Sequence, residues 1–133
     1  MDVKKGIIIF LFISVLQNYA NAQGECSKVA NDGGVFACFN SAKQAAEKTL
    51  NREYIAAKKR INAEYSASMA DLKSYMTTLT DTQRGWLKYR DGQCSLESFM
   101  AEKGTLTHDT LTDKCVARID LERVEQLKSM PYE

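Results

Sequence analysis

Between Phe39 and Leu79 the chain runs without a Gly or a Pro. Ala, Lys, Glu, Arg and Leu dominate the stretch, residues that enter a helix at little cost. Apolar side chains recur at Ala46, Leu50, Tyr54, Ala57, Ile61, Tyr65, Met69, Leu72, Met76 and Leu79. Steps of three and four keep all of them on one helical face. An unbroken helix of this length would measure about 60 Å at 1.5 Å per residue. That is long for a small chain, and a bend or break near Ser66–Ser68 would shorten it. Leu50-Asn51-Arg52-Glu53-Tyr54 is echoed by Ile61-Asn62-Ala63-Glu64-Tyr65 about three turns later, on the same face. Two copies make no array, so the echo reads as part of a core-facing stripe.

Thr80-Asp81-Thr82 offers capping side chains, and a second helix is expected from about Thr82 to Ala101. Glu102-Lys103-Gly104-Thr105 ends it, and the chain to His108 reads as loop. Asp109 or Thr107 could cap a third helix over about Thr110–Ser129, with Pro131 just beyond its end. No segment alternates as a half-buried strand does. The expected fold is all-α: a disulfide-stapled three-helix bundle or hairpin, one long helix packed by two shorter ones.

The N-terminus reads as an address. Lys4 and Lys5 precede an apolar run, Gly6 to Leu16, too short for a bilayer span of about 20 residues. Ala20-Asn21-Ala22 is a small-x-small cleavage site, so residues 1–22 are predicted to be a signal peptide and 23–133 a single helical domain. An acylated Cys26 would need a small residue before it, and Glu25 stands there. The expected protein is bacterial, periplasmic or else secreted, with no stable membrane anchor after cleavage.

Cys26, Cys38, Cys94 and Cys115 all lie beyond that site, and an even count in an exported chain reads as two disulfides. Three pairings exist. The sequence-local one, Cys26–Cys38 with Cys94–Cys115, is expected: the first would close a loop through Gly33-Gly34, the second would clamp two helices. The absence of a C-x-x-C pair speaks against a redox site. The wide Cys spacing and a single His speak against a metal site.

Lys plus Arg is 18 and Asp plus Glu is 17. Loss of Asp2, Lys4 and Lys5 with the signal leaves formal neutrality, unlike the basic excess of a nucleic-acid binder. The short run Lys58-Lys59-Arg60, flanked by Glu53 and Glu64, reads as a solvated helix face. Carboxylates such as Asp91 and Glu97 occur on any helical surface, and His108 has no nucleophile beside it in sequence. No catalytic constellation emerges, and no cofactor is expected.

The most distinctive stretch is Gln83 to Cys94. Gln83, Trp86, Arg90 and Cys94 share one helical face, with Tyr89 and Asp91 flanking it on opposite sides. The four-residue step from Trp86 to Arg90 allows guanidinium–indole stacking. Trp, Tyr and Arg together could form an exposed recognition patch. The shared face with Cys94 favours an inward anchor, with Arg90 satisfied by a carboxylate.

W-x-x-Y-R-D-x-x-C, here Trp86, Tyr89, Arg90, Asp91 and Cys94, resembles the signature of the LprI-type lysozyme-inhibitor family, as does Gln83 three residues before the Trp. A later family element, C-x3-[LM]-T-x2-R-x3-L, is matched by Cys115, Arg123 and Leu127, with Ile119 a mild and Asp120 a clear departure. Cys26 and Cys38 resemble the family's earlier pair, and either Leu50, Asn51 and Tyr54 or Ile61, Asn62 and Tyr65 its L-N-x-x-Y element. The resemblance covers nearly all of residues 23–133. It departs in the loop Glu102–His108, which lacks the family's Gly-Gly-Ser-like sequence, and in lacking the founding member's lipid anchor.

The resemblance implies a periplasmic binding protein that blocks a lysozyme-type muramidase sterically and performs no chemistry. Loops around Gly33 and Gly34, or Lys103, Gly104 and His108, are the expected cleft-entering segments. A neutral chain would gain little electrostatic steering toward a cationic lysozyme. The alternative is an immunity or binding module for another envelope partner, such as a cell-wall-degrading toxin.

Overall fold

The computed structural model describes residues 24–132; the proposed signal peptide lies outside them. After a single helical turn at residues 24–27, three helices account for most of the chain: α1 (Asp32–Glu64), α2 (Met69–Glu97) and α3 (Leu106–Lys128). No strand occurs among the described residues. None of the helices there is long and apolar enough to cross a membrane.

Each helix starts at a side-chain cap. The Asn31 side chain accepts from the Gly34 amide at 2.8 Å, Ser68 Oγ from the Asp71 amide at 3.4 Å, and Thr105 Oγ1 from the His108 amide at 3.2 Å. Asp32, Asp71 and Asp109 place negative charge in the first turns, where the helix dipole favours it.

The long apolar stripe is divided at Tyr65–Ser68, between α1 and α2. Thr80-Asp81-Thr82 caps nothing and lies inside α2, with Thr80 Oγ1 donating back to the Met76 carbonyl. Leu72, Met76 and Leu79 lead without a change of face into Gln83, Trp86, Arg90 and Cys94, and one helix carries them all. α2 instead ends at Glu97, before the expected Ala101, and α3 begins at Leu106, ahead of the expected Thr110. Gly104, at φ 83°, supplies the left-handed turn between them.

α1 and α3 run parallel and share by far the largest interface. Asn40 and Lys43 near the start of α1 meet Asp113 near the start of α3, at 2.8 and 2.7 Å. At the other end Arg60 donates to the carbonyls of Leu127 and Met130, at 2.9 and 3.0 Å. Arg60 thus adds a side-chain donor to the Leu127 carbonyl, which also accepts from the Met130 amide, and supplies one to the Met130 carbonyl beyond the helix end. The basic run of α1 is therefore partly a tertiary cap.

α2 returns antiparallel to both. The main core joins Leu50, Ala57 and Ile61 of α1, Leu79 of α2, and Val124, Leu127 and Met130 of the α3 end. A smaller cluster joins Cys94, Cys115, Val116 and Ile119. Trp86 packs against both.

Candidate functional site

Two regions carry the residues singled out by sequence: the Trp86 face and the turn that follows it.

Trp86 is half-buried beneath two guanidinium groups. The Arg90 and Arg123 carbons stand 5.8 and 5.7 Å from its ring centroid. Arg90 Nη1 donates to Asp120 Oδ1 at 3.0 Å, and its Nη2 lies 2.8 Å from Asp91 Oδ1. Asp120, the residue that departs from the family pattern, is fully buried and is the carboxylate that Arg90 needs. Burial holds the Asp120 carboxyl above the usual carboxylate range, against the opposing pull of Arg90. Desolvation works to lower Arg90, but its bonds to Asp120 and Asp91 outweigh that and hold it above its ordinary value. Arg123 donates from Nε to Gln83 Oε1 at 3.0 Å and from Nη1 to Gln126 Oε1 at 2.8 Å. Gln83, Trp86, Arg90 and Arg123 therefore form an anchor between α2 and α3. Tyr89 and Asp91 project outward, and Tyr89 is 60 % exposed.

Below this anchor Cys94 bonds to Cys115, while Cys26 bonds to Cys38. No cysteine is free. Such cross-links belong to a protein of an oxidising, extracytoplasmic compartment.

The turn after α2 is anchored from inside. Ser98 is fully buried, its Oγ donating to the Cys94 carbonyl at 2.9 Å and standing 3.4 Å from His108 Nε2. His108 Nδ1 lies 3.3 Å from Asp109 Oδ1. His108 is thus half-buried in the first turn of α3 and steadies the turn; it is not a loop residue. The residues around this fixed base point outward: Leu96 is 70 %, Phe99 77 % and Met100 94 % exposed, and Leu106 also stands in solvent. Lys103 and Gly104 lie on the same exposed tip.

Gly33 and Gly34 do not form a loop. They occupy the first turn of α1, at the same end of the bundle as the tip. A Cβ on Gly34 would come within 2.5 Å of the Val29 side chain, so this glycine serves close packing of the lead-in. Sequence reasoning missed Phe99 and Met100, because a hydrophobic residue at the end of a helix pattern looks the same whether it is covered or not. It also left the Arg60 cap unseen. Among the described residues no group of three or more His, Cys, Asp or Glu could hold a metal ion.

A family profile described as "Lysozyme inhibitor LprI" matches residues 25–127, from the lead-in to the last turn of α3. An uncharacterized protein of Rhizobium meliloti is 31% identical over 117 residues, 84% of each chain. The fold is similar to the crystal structure of a DUF1311 family protein from Pseudomonas putida. The TM-score is 0.67 at 24% identity, covering 74% of this chain and 91% of that one. The family's description is that of a binding protein and not of a catalyst. With both cysteine pairs, the Trp86 anchor and the three helices inside the matched region, the chain belongs to the LprI lysozyme-inhibitor family.

Proposed function

We propose that this protein is an exported inhibitor of a lysozyme-type muramidase, acting by steric occupation of the substrate cleft. One observation carries the reading beyond the family: the exposed apolar tip of Leu96, Phe99, Met100 and Leu106 on a disulfide-fixed base. Large apolar side chains held out in water on a rigid turn favour a protein partner. The ordering cost of binding falls because Cys94–Cys115 and buried Ser98 already fix the base. Apolar contact also suits a nearly neutral chain, which has little charge with which to steer. Export through residues 1–22, ending in the periplasm, belongs to the same proposal; N-terminal sequencing of the exported protein would then begin at Gln23.

The test is a turbidity assay of bacterial lysis by several lysozyme types, with purified disulfide-bonded protein in stoichiometric excess. Inhibition of at least one type is expected. A Phe99→Ser, Met100→Ser double variant should weaken it by about tenfold or more, the scale of a hot-spot loss. Full lysis with every type tested overturns the reading. Inhibition that the double variant leaves unchanged removes the tip from the binding surface.

A further inference from the structure

The opposite end of the molecule carries a second feature that the tip does not use. Between the α1–α2 turn, the first half of α2 and the segment after α3 lies a cleft of about 580 Å³. That size suits a small ligand. One wall is a polar row on α2: Asp71, Ser74, Thr78 and Thr82 fall on successive turns of one face. Tyr75, beside Ser74 on the same helix, stands 5.3 Å from Tyr65 of the α1–α2 turn between ring centroids, and Tyr132 beyond α3 completes the aromatic lining. Arg123 also lines the cleft.

Arg123 is 5 % exposed, yet among the described residues its Nη2 has no hydrogen-bond partner. Its other nitrogens meet only the amide oxygens of Gln83 and Gln126. Among the described residues no carboxylate forms an ion pair with it, and burial pushes its pKa below the ordinary arginine range; Asp120, one turn earlier on α3, pairs with Arg90 instead. Its neighbour across the Trp86 ring, Arg90, has two carboxylates. A buried guanidinium without an anion is costly, and the indole face offsets only part of that cost. Planar guanidinium groups match carboxylates in shape as well as charge. Besides apolar Leu79 and Met130 and the carboxylate of Asp71, the rest of the cleft offers hydroxyls beside aromatic rings, groups that can meet the hydroxyls and the apolar ring face of a sugar.

We propose that this cleft binds a small sugar acid. Its carboxylate pairs with Arg123, its hydroxyls with the Ser74–Thr78–Thr82 row and Asp71, and its ring with the tyrosines. Tyr132, 60 % exposed and outside any helix, is the wall residue that yields to admit the carboxylate to Nη2.

The proposal is independent of lysozyme binding and is tested without a lysozyme. Backbone amide signals of isotope-labelled, disulfide-bonded protein are followed while glucuronate or glucose is added. Glucuronate is expected to shift the signals of Ser74, Thr78 and Tyr132 and to saturate, with glucose binding at least about tenfold more weakly. Thr78→Trp, on the exposed side of α2, should fill the cleft and abolish the shifts without touching Arg123. Arg123→Gln should reduce glucuronate to the level of glucose. No saturation by about 10 mM glucuronate, tenfold above a millimolar dissociation constant, overturns the proposal. Equal binding of the two sugars overturns the role of Arg123, and shifts that survive Thr78→Trp overturn the location.

Discussion

The two ends of the bundle are held by different means. At the α1–α2 turn, apolar side chains from all three helices interlock around Ile61 and Leu127, both fully buried. At the other end the buried cluster is small, and the two disulfides take over. Large apolar residues are not scarce there; Phe99, Met100, Leu96 and Leu106 simply face outward. A small domain that spends its hydrophobic residues on a surface must close that region by other means, and covalent cross-links do so without occupying surface.

The sharpest way to break this comparison is at its apolar end. Leu127→Ala should lose about 2–5 kcal/mol in chemical denaturation, since the side chain is fully enclosed. Replacing Cys94 and Cys115 by Ala should cost about 3 kcal/mol by releasing a loop of 21 residues. The same change at Cys26 and Cys38 should cost less, because that bridge restrains only a lead-in. Equal losses from the two bridges would show that the lead-in belongs to the cooperative core.

Arg90→Gln tests the seam between the ends. It leaves fully buried Asp120 without its cation and should cost about 3 kcal/mol at neutral pH. The pH dependence has a definite sign. The Asp120 pKa in the native state is already above the ordinary aspartate value that it has in the unfolded chain. Its contribution to stability is therefore fully present below that value and lost as pH rises through the higher native pKa. Without Arg90 the native pKa rises further, so the variant's deficit should shrink as pH falls below it. A deficit constant with pH would mean that Arg90 acts by packing on Trp86 and not by charge. The smallest expected effect is at the tip, where Phe99→Ser should change stability by less than about 0.5 kcal/mol while weakening inhibition. A larger loss would place Phe99 in the fold and not in the binding surface.

Much of this architecture is legible in the sequence because helical periodicity is local. Ala46, Leu50, Ala57 and Ile61 mark the buried face of α1 directly. The break at Tyr65–Ser68 is harder to see, since Ile61, Tyr65, Met69 and Leu72 keep three- and four-residue steps across it. Ser68-x-x-Asp71 was the available signal, the pattern of a helix start. Thr80–Thr82 has equally good capping chemistry, yet the helix runs through it; the apolar steps are unbroken at both places and do not distinguish them. The Trp86 anchor could be read as a face, but not its completion. Asp120 stands out in sequence only as an odd residue, and its pairing with Arg90 needs α3 in place. Exposure of Phe99 and Met100, the Arg60 cap and the unneutralised charge of Arg123 all depend on contacts distant in sequence, which no local pattern encodes.

The parallel packing of α1 on α3 bears on how such a chain is made. The first helix cannot be covered until the last has been delivered, so a polypeptide emerging N-terminus first waits with its main interface incomplete. Both bridges, however, join cysteines that are consecutive along the chain. An oxidant that pairs thiols in their order of arrival makes Cys26–Cys38 and then Cys94–Cys115, each native at first closure. Crossed bonds, and the slow exchange that corrects them, are thereby avoided.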